Sequence, residues 1–122
     1  MEIELLELDK ATLATVKAVN TPISSVQDAV DILGNASYMG AVGVIMREEH
    51  FHPNFFDLKT RIAGEVLQKY ANYHMKLAII GNFEKYESKA LQSFIIECNR
   101  GNHIFFVSDK EAAVSRLIEN LH

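Results

Sequence analysis

The 122-residue chain is 48% hydrophobic and 23% charged, with a net charge of −4. That size and balance suit one domain with one core and exclude a disordered chain. The acidic excess and the lack of a five-residue basic run argue against nucleic acid. No apolar run nears the ~20 residues that a membrane helix needs.

Glu2 to Leu8 reads as a strand with Ile3 and Leu5 on one side. Asp9-Lys10 can turn it into a second strand, Ala11 to Val19, and so short a link predicts an antiparallel hairpin. The acidic, alternating start MEIELLELDK is no signal peptide. Thr21-Pro22 ends the hairpin. Ser24 followed by Gln27 is a capping-box signature for a helix with Val26, Ala29, Val30 and Leu33 inward. Gly34 and Asn35 weaken that helix, and Gly40 closes it.

Val42 to Met46 is a short apolar run, as expected of a strand buried on both faces. After the polar loop Arg47 to Asn54, the stretch Phe55 to Tyr73 reads as one amphipathic helix capped by Asn54. Leu58, Ile62, Val66 and Tyr70 recur every four residues beside Ala63, Leu67 and Ala71. Thr60, Ala63 and Gly64 make a small stripe for close packing, against the sheet or against a second protomer. Gly64 costs about 1 kcal/mol relative to Ala inside a helix, which predicts a packing reason for it.

Lys76 to Ile80 is the next strand, closed by Gly81-Asn82. Ser88 caps a helix with Leu91, Phe94, Ile95 and Cys98 inward, and Gly101 stops it. Ile104 to Val107 is the last strand. Ser108 with Glu111 opens a final helix with Ala113, Val114, Leu117, Ile118 and Leu121 inward. The order is β-β-α-β-α-β-α-β-α. It predicts a single α/β domain over residues 1–122, with a mostly parallel sheet and an N-terminal antiparallel hairpin.

The block FFDLKTRIAGEVLQKYANYHMKLAIIGNF, followed by SKALQSFIIECNRGNHIFFVSD, resembles the bacterial domain-of-unknown-function family 4180. TPISSVQDAVDIL and REEHFHPNFFDLKT match the same pattern. The resemblance covers nearly the whole chain and implies a single α/β domain, with no activity attached. The element order is also similar to STAS domains, the anti-sigma-factor antagonist fold. That likeness implies a regulatory module that binds a protein partner, in some cases switched by phosphorylation. The STAS phosphoacceptor sits in an Asp-Ser-x-Gly-type turn before the second helix. Here Phe56-Asp57-Leu58-Lys59-Thr60 stands in that place; Asp57 fits, Leu58 and Lys59 depart, and Thr60 is the only hydroxyl near.

In open α/β sheets, ligands bind beyond the carboxyl ends of the strands. That rim carries Glu48, Glu49, His50 and His52, then Gly81 and Asn82, then Ser108 and Asp109. Carboxylates and imidazoles can ligate divalent metals or move protons near neutral pH. No third ligand at a familiar spacing joins them, so no metal and no cofactor is expected. Lys59 and Thr60 could hold an anion at a helix start, though no glycine-rich loop precedes them. Cys98, the single cysteine, reads as a core side chain beside Glu97, which would raise its pKa. It can form no internal disulfide, which agrees with a cytoplasmic location. Tyr70, Tyr73 and Tyr86 could line a pocket. Arg100 suits the negative end of its helix. His74 and His122 carry no signal.

The first reading is therefore a non-enzymatic STAS-like module that binds a protein partner and can form a homodimer. Its expected binding residues are Glu49, His52, Asp57, Lys59, Thr60, Arg61 and Glu65. The alternative is a small-molecule or metal site around residues 48–60, with Glu49, His50 and His52 as ligands or acid/base groups.

Overall fold

The computed structural model describes residues 1–121, so His122 lies outside the described residues. The elements are β1 (Glu2–Glu7), β2 (Thr12–Ala18), α1 (Val26–Tyr38), β3 (Gly43–Arg47), α2 (Ile62–Asn72), β4 (Lys76–Ile80), α3 (Lys89–Arg100), β5 (Ile104–Val107) and α4 (Lys110–Glu119). Their order is the one expected. The five strands form one sheet in the order β1-β2-β3-β4-β5. β1 is antiparallel to β2, and β2 through β5 are parallel.

Each parallel strand pairs with the next in sequence, so the three crossovers all step the same way. Their helices α1, α2 and α3 accordingly share one face. Ala14, Val16, Val44, Met46, Leu77, Ile79 and Phe106 point into this larger core, against Ile32, Val66, Tyr70, Leu91 and Ile95. The other face presents Leu13, Ile45, Ala78, Ile80 and Phe105 to Ala113 and Leu117 of α4. Burying each large apolar side chain contributes roughly 1.5–3 kcal/mol, so the thicker face dominates the stability. Tyr70 is fully buried between α2 and α1, and its hydroxyl donates to the Ala29 carbonyl at 2.7 Å.

The central helix starts later than its apolar pattern predicts. Asn54 is not its cap, and residues 53–60 are not α-helical. Instead, three one-turn 3₁₀ helices (Glu48–His50, Pro53–Phe56 and Leu58–Thr60) lead to α2, which begins at Ile62. Phe51, Phe55 and Phe56 are buried as a wedge, with ring centroids 4.4 to 6.1 Å apart. Their spacing extended the apolar pattern of α2 without continuing the helix. Arg61 caps α2 in the left-handed region at φ 65°.

Two other caps sit one residue later than expected. The Ser25 hydroxyl accepts the Asp28 N–H, and the Asp28 carboxylate takes the Ser24 N–H in return. Asp109, not Ser108, accepts the Ala112 N–H at the start of α4. Ser88 caps α3 as expected. Gly64 has open space where a Cβ would sit, so no packing contact explains it. Gly34 lies within α1, likewise in open space.

β5 is an edge strand, and an edge strand exposes unpaired backbone groups. Asn99 of α3 fills that role for β5: its side-chain amide accepts the Phe106 N–H at 2.8 Å and donates to the Phe106 carbonyl at 3.2 Å. Arg116 of α4 donates to the Asn99 carbonyl and lies 4.6 Å over the Phe105 ring.

Candidate functional site

Because the strand order never reverses, the sheet lacks the switch-point crevice where open α/β proteins commonly bind ligands. The carboxyl rim is built up instead by the long connection between β3 and α2. Structureless connections beyond ~12–15 residues are uncommon in compact domains, and this one carries three 3₁₀ turns of its own. This one is tied down at several points. Ile23 N–H donates to the His50 carbonyl and His52 N–H to the Ile23 carbonyl, each at 2.8 Å. The phenylalanine wedge beneath then fixes the turns from inside.

Glu48 is the centre of the rim. Parallel register pairs Arg47 with Ile80, which sets Glu48 beside Gly81. A Cβ on Gly81 would lie 2.7 Å from the Glu48 Cβ and 2.9 Å from Phe83, so only glycine fits. The Glu48 side chain is 14% exposed. Its Oε2 accepts the Tyr86 hydroxyl at 2.5 Å and pairs with Lys85 Nζ at 2.7 Å, while Oε1 accepts the Asn82 N–H at 3.3 Å. Burial pushes this carboxyl up, but the hydrogen bonds from Lys85, Tyr86 and Asn82 outweigh it and hold the pKa below the ordinary value. Burial, and then the bond to Glu48, push the Tyr86 phenol well above its ordinary range. The cluster is a satisfied anchor for the loop after β4. Gln92 reinforces that loop by donating to the Phe83 and Tyr86 carbonyls at 2.7 and 3.0 Å.

The two imidazoles of the rim stand apart in role. His50 is buried, and its Nδ1 accepts the Arg47 N–H at 3.0 Å. Burial lowers its pKa, against a smaller upward pull from Glu49. His52 is exposed, and its Nδ1 accepts the Asn54 N–H at 3.1 Å. Among the described residues, no three His, Cys, Asp or Glu side chains come together at metal-holding distance. Burial pushes the Cys98 thiol up to about 11, with a further push from Glu97, so it is a core side chain.

The other singled-out residues lie along the outer surface of the connection. Asp57 accepts the Lys59 N–H at 3.1 Å and caps the third turn. The Thr60 hydroxyl is 2.8 Å from both the Asn54 and Asp57 carbonyls and accepts the Ile62 N–H at 3.3 Å. Glu49, Lys59, Arg61 and Glu65 are exposed. Glu49 lines a cleft of about 780 Å³ with Arg47, Asn82, Ser108 and Arg116. Sequence position puts Glu48 on the rim but gives no sign of its pairing with Tyr86. The signal lay in Gly81: a glycine just past a buried strand leaves room for the side chain just past its neighbour.

A family model, Domain of unknown function (DUF4180), matches residues 8–117. The chain belongs to that family. No curated protein and no solved structure matches it. Among the described residues, no helix is long and apolar enough to cross a membrane.

Proposed function

We propose that this protein is a non-enzymatic regulatory module of STAS-like type, which presents residues 49–65 to a protein partner. One observation carries the reading. The long connection after β3 is held rigidly by buried phenylalanines, while Glu49, Lys59, Arg61 and Glu65 are left exposed. A rigid surface loses little entropy on association, so a preformed platform favours binding. One polar atom each of Asp57 and His52, the Thr60 hydroxyl and both Glu48 oxygens are engaged in caps and anchors, which suits a shaped surface better than a reacting centre. The element order supports the STAS-like part of the reading.

The test is a photo-crosslinking residue placed at Lys59 in the native host, against one at Lys89 on α3. A discrete protein adduct from position 59 alone is expected. Arg61→Ala with Glu65→Ala should abolish that adduct while the unfolding midpoint stays within a few degrees. Equal labelling from both positions, or an adduct that survives the double variant, would overturn the mapping. The cleft beside Glu49 favours a second reading, a small-molecule site at the same rim. Native mass spectrometry showing a retained small mass, lost on Glu49→Ala, would support it.

A further inference from the structure

At the opposite end of the sheet, where the parallel strands begin, lies a second cleft of about 450 Å³. Small-molecule sites typically span ~300–1,000 Å³, so the size is suitable. Its polar lining comes from four separate segments: Lys10 of the β1–β2 turn, His74 and Lys76 around the start of β4, His103 before β5, and Asn120 after α4. No acidic residue is among the described lining residues, although the chain as a whole carries −4. Ala11, Val42 and Leu121 add an apolar wall.

We propose that this cleft binds a small organic oxyanion, with a carboxylate or phosphate head held by Lys10, Lys76 and His103 and an apolar body against Val42. Three cations of the chain sit beside carboxylates: Lys17 by Glu4, Lys85 by Glu48 and Arg100 by Glu97. Lys10 and Lys76 have no such carboxylate among the described residues. Lys76 Nζ donates to the Asn102 carbonyl at 2.5 Å, which leaves two of its three protons for a ligand. The buried His103 Nδ1 has no hydrogen-bond partner among the described residues. A buried polar atom left so is costly, and in the Nδ1–H tautomer an oxyanion that reached it would satisfy it. Burial lowers the pKa of Lys76. Burial, then Lys76 and His74, lower that of His103. A bound anion would oppose both shifts by favouring the charged forms. It lies at the far end of the strands from the proposed partner surface, so either reading can fail without the other.

The experiment titrates the full chain with inorganic phosphate and with benzoate, followed by two-dimensional amide NMR at ionic strength fixed with sodium chloride. Saturable shifts at residues 10–11, 74–76 and 102–104 are expected. Saturation by phosphate alone assigns a phosphoryl head, and saturation by benzoate assigns a carboxylate with an apolar body. Lys76→Met should weaken binding about tenfold, the usual effect of losing one charged hydrogen bond. Lys10→Met, on the exposed β1–β2 turn, should also weaken it. Lys17→Met, outside the cleft, should leave it unchanged. If neither probe saturates, or if both cleft variants bind as tightly as the native chain, the proposal is wrong.

Discussion

At the carboxyl rim, Glu48 sits among Lys85, Tyr86 and the Asn82 amide, and every group has a partner. At the amino rim, Lys10, Lys76 and two histidines line a cleft with no acidic residue among its described lining. The two ends of one sheet thus show opposite uses of polar side chains. A cluster that is neutral within itself stiffens a loop and leaves little charge for anything else. A cluster of one sign contributes less to the fold and keeps its field for a ligand. Chemistry-bearing residue types alone would have ranked the carboxyl rim first; the partner of each side chain reverses that order.

The contrast is most sharply tested at Gly81. Gly81→Ala should cost about 2–3 kcal/mol in urea unfolding, because the new methyl collides with Glu48 and Phe83. A neutral result would mean that Glu48 is not anchored there. Tyr86→Phe should come next, at about 1–2 kcal/mol, through the lost charged hydrogen bond to Glu48. Gly64→Ala, in contrast to Gly81→Ala, should raise stability by about 0.5–1 kcal/mol, since helix propensity improves and nothing crowds the position. The smallest effect belongs to the amino rim, where Lys76→Met should change stability by no more than about 0.5–1 kcal/mol.

The same variant has a titration signature. Both His50 and His103 have folded pKa values below the ordinary 6.5. The stability they confer is therefore full above pH 6.5 and is lost as pH falls through the lowered folded values. Lys76→Met should raise the pKa of His103, which Lys76 depresses, and leave that of His50 where it is. Imidazole proton shifts followed from pH 8 to 5 would decide this; parallel movement of both histidines would erase the distinction between the rims.

Much of the fold was legible because it rests on short-range pattern. The strands Lys76–Ile80 and Ile104–Val107 fall where their apolar runs fall, since β-strands buried on both faces have no other composition. The caps at Ser25 and Asp109 were displaced by one residue because each neighbours a residue of equal capping ability. The false extension of α2 had a tertiary cause: Phe55 and Phe56 are apolar at helical spacing, yet they serve the wedge under the rim. For the site, exposure of Arg61 and Glu65 followed from amphipathic pattern. The Glu48–Tyr86 bond joins residues 38 apart, and nothing local announces it. Nor does sequence spacing show that Lys10, Lys76 and His103 meet, because strand order alone brings their segments to one end.

The sequential strand order also has a consequence during synthesis. Each parallel strand pairs with the one made just before it, so no strand waits for a distant partner, and each crossover carries a single α-helix. The sheet can therefore widen one unit at a time as chain emerges. Its growing edge would be open to strands of other molecules at every stage. Asn99 closes that hazard from within the last unit: it lies on the helix preceding β5 and occupies the Phe106 N–H and carbonyl. Replacing it would leave a folded protein whose finished edge still recruits neighbours, a defect visible as aggregation at high concentration.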